Sequence, residues 1–475
     1  MLFIENPCPL VESSKVHSHV GFSPKKRREA MSRQVTNYGV FLSKMAAASW
    51  LLAFSTVAFS APELSEATPE DAGMSSERLT KIKNYFDQEA EAGRLPGGVI
   101  AIARDGKLVM HESFGAQNPS AEGAMPNDAI FRIYSMTKPL VSVAAMQLVE
   151  DGTIQLTDPV SKWLPEFQDM KVSSGTKGSD GKMTYEQVPA QQAMTVQDLL
   201  RHTAGLAYGE ITANEEIKQA YQAAGAYKPG EGEFDSRGVT PAEQVAAIAK
   251  APLAHQPGTV WEYSMASDIL GRVVESASDK TLGEFLNERV FSPLKMQDTG
   301  FHVPDPKHSR IAESFEVDPW TKKTYPLLDV STPPKNDSGG AGAVSTALDY
   351  LRFSQMLLNG GKLDDAQVLS PTTVKLMTSD HLGDRKSNPL SPGALLLGTP
   401  EGYTFGLGFL VREEPGMAGV HGSAGEFMWA GYAGTFFWVD PSEKLAVVLM
   451  TQQSGPSRAH YRRAMKNLVS QAIVD

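Results

Sequence analysis

The chain has 475 residues, of which 41% are hydrophobic and 21% charged, with a formal net charge of −11. This composition is typical of a globular protein with a large core, and it excludes a disordered chain. No sequence period of about 20–50 residues stands out, so a repeat protein is not expected. An acidic chain without a basic stripe in its main part also argues against nucleic acid or an anionic membrane as a partner.

The first 60 residues have the layout of a secretory signal peptide. Lys44 precedes the apolar run MAAASWLLAFSTVAFSAPE, which is too short to span a bilayer comfortably, and Ala58 and Ser60 are small residues before a cleavage point. Cleavage after Ser60 removes Cys8, the only cysteine, and leaves 37 basic and 52 acidic residues. We therefore expect a protein exported to the periplasm or secreted, with no disulfide and no stable membrane association after signal cleavage. An uncleaved N-terminal anchor is the alternative.

The N-terminal half of the remaining chain predicts a hairpin and then helices. Residues 98–115 alternate around a turn at Asp105, which predicts a β-hairpin. A helical apolar pattern begins at Ser135 and continues to Asp151. The polar, glycine-rich segment 172–182 predicts an exposed loop.

Helices dominate the middle of the chain, and strands return near its end. The predicted helices are a short one opened by a capping box at Thr195 and Asp198, then 242–251, 266–278, 281–291 and 456–474. The predicted strands are 403–411, 434–440 and 444–452.

Strands at both ends with helices between them predict an α+β fold, in which an antiparallel sheet flanked by helices carries an inserted, mainly helical domain. We expect residues 61–134 and 330–475 to form the α/β domain and residues 135–329 the helical domain. A cleft between two such units is a favoured place for a small-molecule site, so we expect the active site at their interface.

Ser135 and Lys138 form an S-x-x-K pattern in the stretch IYSMTKPL. The pattern occurs five times in the chain, but only Ser135 begins a strong apolar helix. Residues three apart on a helix share a face, and a shielded lysine can act as the base that a serine nucleophile needs. On this pattern alone, however, a serine near a helix start with a solvated lysine is the better interpretation.

Five blocks in a fixed order resemble the serine β-lactamase-related hydrolases, which include class C β-lactamases, DD-peptidases and family VIII carboxylesterases. The blocks are residues 131–167, 194–209, 261–275, 339–363 and 429–441. The resemblance spans roughly residues 68–470 and is nearest to the family VIII carboxylesterases. It implies a β-lactamase/DD-peptidase-like fold.

The resemblance also implies a role for each matching residue. Ser135 would be the acyl-accepting nucleophile, Lys138 its hydrogen-bonded base, and Tyr263 the phenol that passes protons and later activates water. The backbone N–H groups of Ser135 and Tyr432 would form the oxyanion hole. Tyr134 is the local alternative to Tyr263, but adjacent helical residues do not face each other.

Two departures from the family pattern concern the substrate. Where many relatives have Y-x-N, this chain has Tyr263-Ser264-Met265, and where β-lactamases and peptidases have K-T-G, it has Trp429-Ala430-Gly431. The lysine and threonine of K-T-G help hold a substrate carboxylate, and W-x-G is characteristic of the esterase branch. The resemblance therefore implies an uncharged acyl group bound near Trp429, Gly431 and Met265.

Three other features favour structural interpretations. Residues 421–425, HGSAG, are close to the nucleophile elbow of other hydrolases, but His421 replaces its first glycine, so we expect 421–428 to be a loop at the mouth of the site. We expect His202 to make structural hydrogen bonds. The ten histidines show no HExxH or paired spacing, so we expect no metal and no cofactor.

The sequence thus predicts a serine carboxylesterase that hydrolyses short-chain or compact neutral esters through an acyl-enzyme on Ser135. The expected partner is a small-molecule ester, and the sequence assigns no oligomeric state. β-Lactamase or DD-peptidase activity is one alternative, and a non-catalytic binding protein with the same fold is another.

Overall fold

The computed structural model describes residues 64–229, 235–399 and 401–475. The predicted leader, residues 1–60, lies outside these ranges. Within them, no helix is both long and apolar enough to cross a membrane.

The described chain alternates strands and helices from end to end. The strands are β1 Ser65–Glu66, β2 Gly97–Arg104, β3 Lys107–Gly115, β4 Phe131–Arg132, β5 Lys171–Lys177, β6 Met183–Pro189, β7 Val260–Trp261, β8 Val344–Ser345, β9 Lys362–Leu363, β10 Ala366–Gln367, β11 Lys386–Ser387, β12 Tyr403–Phe405, β13 Leu410–Arg412, β14 Phe427–Ala430, β15 Phe436–Asp440 and β16 Leu445–Thr451. The helices are α1 Ser76–Glu91, α2 Thr137–Glu150, α3 Val196–Leu200, α4 Glu215–Ala224, α5 Pro241–Ala249, α6 Ala266–Ser278, α7 Leu282–Leu286, α8 Ala347–Leu358, α9 Pro371–Met377, α10 Pro392–Leu397 and α11 Arg458–Ser470.

One eight-stranded sheet joins the two ends of the described chain, in the order β1-β3-β2-β16-β15-β14-β13-β12. Every neighbouring pair is antiparallel except β1 and β3. The central strand β16 is buried along its whole length, because α8 packs against β2, β15 and β16. The helix α1 packs against β3 and α11. This arrangement confirms the predicted α+β class with its antiparallel sheet.

The segment between these strands is mainly helical, and α2 lies inside it. Residues 137–148 of α2 are all buried, and the helix packs against both α6 and α7. A helix surrounded by protein needs apolar or small residues on every side, which explains its continuous apolar sequence. The division into domains 61–134 with 330–475 and 135–329 stays a prediction.

The predicted elements agree with the structure at most positions. The hairpin at Asp105 is β2 and β3, the capping box of Thr195 and Asp198 opens α3, and the predicted helix 266–278 is α6. The predicted helix 281–291 is α7 followed by a π-helical turn, Asn287–Phe291.

Two segment predictions are wrong. Residues 172–182 are not a loop, because most of them belong to the hairpin of β5 and β6. Most side chains of this hairpin are exposed, so its polar sequence is compatible with backbone hydrogen bonds between the two strands. Residues 403–411 are not one strand, because the chain reverses between β12 and β13 at Gly408, which has a φ of +95°. A side chain at Gly408 would also collide with Ser142 of α2.

The prediction of a loop over residues 421–428 is wrong at its end. Phe427 and Met428 are strand residues of β14, paired with β15. The preceding loop lies at the start of β14, whereas Gly431 follows its end, and four strand residues span about 13 Å. The expected place of the HGSAG segment at the mouth of the site stays a prediction.

Candidate active site

Ser135 lies in a tight turn immediately before α2. Residues Tyr134–Met136 form a single 3-10 turn, and the α-helix begins at Thr137, so Ser135 precedes the helix and does not open it. Within this turn the backbone of Tyr134 is strained, with a φ of +43°, and it must be held by its surroundings. Its phenol oxygen accepts a hydrogen bond from the Leu328 N–H at 3.0 Å. Tyr134 is therefore directed away from Ser135, and burial raises its pKa to about 12.

The hydroxyl of Ser135 has two polar side chains within hydrogen-bond distance. The Tyr263 phenol donates to Ser135 Oγ at 2.7 Å, and Lys138 Nζ donates to the same oxygen at 3.3 Å. All three side chains are buried, with relative exposures of 7% for Ser135, 6% for Tyr263 and 1% for Lys138. The structure thus brings together the three residues for which the sequence predicts a catalytic role.

Lys138 makes two further contacts that the sequence did not predict. Its Nζ donates to the carbonyl oxygen of Gly340 at 2.7 Å and to the Tyr208 hydroxyl at 3.2 Å. The ammonium group also lies 4.7 Å from the centroid of the Tyr263 ring. Because Lys138 contacts hydroxyls and a carbonyl, and no carboxylate among the described residues is an ion-pair partner, it can exchange a proton with Ser135 without breaking an ion pair.

Aromatic rings surround Tyr263 and hold its phenol in place. The rings of His202, Tyr208 and Trp429 have centroids 5.0, 5.3 and 5.4 Å from that of Tyr263. His202 contacts Ser264 through Nδ1 at 3.2 Å, and its carbonyl accepts from the Glu262 N–H. Burial, assisted by the charge of Lys138, holds the pKa of His202 well below its usual value. These contacts agree with the structural role expected for His202.

The turn after β14 brings Gly431 and Tyr432 next to the serine turn. The Thr435 hydroxyl donates to the carbonyl of Ile133 at 3.3 Å, and Tyr432 packs on Tyr134 with ring centroids 5.4 Å apart. A Cβ atom on Gly431 would lie 2.1 Å from Thr435 Oγ1 and 2.5 Å from the Ile133 carbonyl oxygen. Only glycine therefore permits this close approach of the β14 end to Ser135.

Trp429 and Met265, the other predicted substrate-binding residues, have different surroundings. Trp429 is 1% exposed and packs against Tyr263 and Phe405, and its indole N–H has no hydrogen-bond partner among the described residues. Met265 lines a cavity of about 330 Å³ together with Tyr227 and Ile248. The surroundings of Tyr263 are thus mainly aromatic and apolar, apart from the polar groups of Ser135, Lys138, Tyr208 and His202.

A buried carboxylate supports the carbonyl that Lys138 contacts. Asp268 Oδ1 accepts from the Gly340 N–H at 3.1 Å and from the Ser338 hydroxyl at 2.7 Å. These hydrogen bonds tie the segment that carries Gly340 to α6. Tyr263 lies just before the same helix in the sequence. Among residues 64–229, 235–399 and 401–475, no group of three or more His, Cys, Asp or Glu side chains could hold a metal ion.

Comparisons with known proteins identify the family. The Beta-lactamase family model matches residues 82–470. The chain is 36% identical over 369 residues to Protein Rv1367c of Mycobacterium tuberculosis, covering 76% of this chain and 87% of that protein. It is 30% identical over 417 residues to Esterase EstB of Burkholderia gladioli, covering 83% and 96%.

A solved structure supports the same conclusion. EstCE1, described as a hydrolase with promiscuous acyltransferase activity, superposes with a TM-score of 0.67 at 26% identity, covering 83% of this chain and 98% of that one. The family match spans most of the chain and includes the turn of Ser135, Tyr263 and the β14 end. The chain therefore belongs to the Beta-lactamase family.

Proposed function

We propose that this hydrolase is a serine carboxylesterase that cleaves compact, neutral esters through an acyl-enzyme on Ser135. The observation that carries the proposal is the hydrogen-bonded group of Ser135, Lys138 and Tyr263 beside Trp429. The resemblance to Esterase EstB over 83% of the chain supports an ester as the substrate.

In the acylation step, Ser135 Oγ attacks the ester carbonyl carbon and forms a new C–O bond. The hydroxyl proton passes to Lys138, which must be neutral to accept it. The negative oxygen of the tetrahedral intermediate accepts hydrogen bonds from the N–H groups of Ser135 and Tyr432. The bond to the alcohol oxygen then breaks, and that oxygen takes the proton through Tyr263.

In the deacylation step, water attacks the acyl carbon on Ser135. Tyr263 takes the proton of the water and passes it to Lys138, and the same oxyanion hole stabilises the second tetrahedral intermediate. Collapse breaks the bond to Ser135 Oγ, which regains a proton, and releases the carboxylic acid. Atoms and charge balance for the overall hydrolysis of an ester to an acid and an alcohol.

The side chains near Tyr263 favour a neutral substrate over an anionic one. Trp429, Ala430 and Met265 replace the cation and amide with which relatives hold a carboxylate. Arg458 and Arg462 lie nearby, but their hydrogen bonds go to backbone carbonyls of the protein. Because burying an anion without a partner is costly, carboxylate-bearing β-lactams should bind poorly.

Hydrolysis rates for p-nitrophenyl esters of graded chain length and for a cephalosporin, measured side by side, test the proposal. We expect much higher kcat/KM for the short neutral esters, and labelling of wild-type protein but not of Ser135→Ala by a fluorophosphonate. A preference for the cephalosporin would favour the β-lactamase or DD-peptidase alternative. Lack of both turnover and labelling would favour a non-catalytic binding protein.

A further inference from the structure

Arg462 of α11 reaches the turn that follows β14. Its Nη2 donates to the carbonyl oxygen of Gly431 at 2.8 Å, and its Nη1 donates to the carbonyl oxygen of Leu396 at the end of α10 at 2.9 Å. The side chain comes from a different part of the sequence, 31 residues after Gly431. It is 5% exposed.

The burial of this guanidinium is energetically expensive. Within the described parts of the chain, Arg462 forms no ion pair with a carboxylate, and its Nε has no hydrogen-bond partner. Burial, together with the neighbouring charge of Arg458, lowers the pKa of Arg462 well below its usual value. A buried cation is normally paired with an anion, but here it is directed at two carbonyl oxygens.

The carbonyl of Gly431 belongs to the same peptide group as the N–H of Tyr432. A charged donor on the carbonyl oxygen draws electron density toward that oxygen, which makes the N–H of the same group a stronger donor. We propose that Arg462 is a positioning residue that polarises the 431–432 peptide group and thereby strengthens the Tyr432 N–H in the oxyanion hole. This inference rests on the proposed esterase function, in which Tyr432 supplies that donor.

Other contacts hold the turn in place independently of Arg462. The Gly431 N–H donates to the Thr435 carbonyl at 2.8 Å, and Arg458 Nη1 donates to the Tyr432 carbonyl at 2.7 Å. The Thr435 hydroxyl also donates to Ile133 beside the serine turn. Removal of the Arg462 charge should therefore make the Tyr432 N–H a weaker hydrogen-bond donor while leaving the turn in position.

The test compares Arg462→Lys, Arg462→Gln and Arg462→Met with the matched control Arg463→Met. Arg463 is the next residue of α11 and donates to the Leu397 carbonyl at the end of α10, but it does not contact the β14 turn. For each folded variant, kcat and KM are measured with p-nitrophenyl butyrate. The inhibition constant of phenylboronic acid, whose anionic, tetrahedral serine adduct places a boron-bound hydroxyl oxygen in the oxyanion hole, is measured in parallel.

We expect Arg462→Met to lower kcat about 10-fold with little change in KM, because the oxyanion forms only after the substrate has bound, in the tetrahedral intermediates and the transition states next to them. The loss should be smaller than that caused by removing a whole oxyanion-hole donor. The inhibition constant of phenylboronic acid should rise by a similar factor. Arg462→Gln should be intermediate, Arg462→Lys should recover part of the loss, and Arg463→Met should stay within about twofold of wild type on both measurements.

Two results would overturn the inference while leaving the esterase proposal intact. In the first, the wild type is active and the Arg462 variants lose activity, but their affinity for phenylboronic acid is unchanged. That result would assign Arg462 a purely structural role. The other is Arg462→Met activity equal to wild type. If Arg462→Met does not fold, Arg462→Gln and Arg462→Lys decide by the same criteria. A wild type without ester turnover would instead overturn the proposed function.

Discussion

At the scale of single residues, proton movement in the proposed reaction depends on two groups around one oxygen. Tyr263 and Lys138 both contact Ser135 Oγ, and Lys138 also lies against the Tyr263 ring. Groups so close to each other serve the same proton path, so the effect of removing one depends on whether the other is present.

Lys138→Ala and Tyr263→Phe should each lower ester turnover by roughly 10²- to 10⁴-fold, the usual contribution of a positioned proton-transfer group. The double variant should lose far less than the product of the two single losses. Steady-state kinetics with one short-chain ester measure all three variants, and Ser423→Ala, in the loop before β14, serves as the control. Fully additive losses would show that the two residues act in separate steps.

Asp349 gives a residue-scale prediction about stability. Its Oδ2 accepts from the Asp298 N–H at 2.7 Å and the Thr299 hydroxyl at 2.9 Å, and burial raises its pKa from 3.8 to about 6. The folded protein therefore holds this proton more tightly than the unfolded chain. The resulting stabilisation is complete below about pH 4 and disappears as the pH rises through about 6, which amounts to at most about 3 kcal/mol.

The variant Asp349→Asn should remove this dependence, because an amide does not titrate in this range while its oxygen can still accept hydrogen bonds. Urea unfolding at pH 4, 5, 6 and 7 gives the free energy of unfolding for both proteins. We expect the wild type to lose stability relative to the variant as the pH rises. Parallel pH profiles would contradict the raised pKa of Asp349.

At the scale of secondary-structure elements, a buried charge cluster joins β13, β14 and α11. Glu426, immediately before β14, pairs with Arg412 of β13 at 2.7 Å and with Lys466 of α11 at 2.7 Å. All three side chains are almost completely inaccessible. The same helix carries Arg462, so the cluster fixes the helix whose side chain reaches the β14 turn.

The variant Glu426→Ala should lower the free energy of unfolding by roughly 3–5 kcal/mol, because it leaves two buried cations without their anion. Glu414→Ala, an exposed residue in the loop between β13 and β14, is the matched control and should change stability by less than about 0.5 kcal/mol. Urea unfolding at a single pH measures both. Equal midpoints for the two variants would contradict the importance of this cluster.

At the scale of the whole molecule, the two ends of the described chain are bound to each other. The Ser75 N–H donates to the Ala472 carbonyl at 2.9 Å, and the Val474 N–H donates to the Gly73 carbonyl at 3.0 Å. Arg104 of β2 also pairs with Asp475. The fold described from Leu64 onward is therefore closed by contacts between its own two ends.

A chain that begins at Ala61 and is expressed without the leader should consequently fold and hydrolyse esters as well as protein purified after export does. Expression of the full chain in an exporting bacterial host, followed by N-terminal sequencing, tests the predicted cleavage after Ser60 at the same time. We expect the mature protein in the periplasm or the medium. Active protein that retains its N-terminus in the membrane fraction would support the uncleaved anchor instead.

The sequence by itself determined the turns, helix caps and helix spans, which depend on residues close together in the chain. The Asp105 turn, the capping box at Thr195 and the span of α6 are set by neighbouring residues, so periodicity and turn chemistry predict them. The family could be recognised from five ordered blocks for a similar reason, because each block is a continuous segment. Ser135, Lys138 and Tyr263 were found through those blocks.

Only the tertiary structure decided which distant groups meet. Tyr208 lies 70 residues from the lysine it contacts, and Arg462 lies 31 residues from Gly431, so no local spacing links either pair. The sequence predicts a loop where β5 and β6 form a polar hairpin, because composition indicates solvent exposure, whereas strand formation depends on backbone pairing with a partner segment. Contacts of this kind arise from packing, and packing brings together residues that the order of the sequence keeps apart.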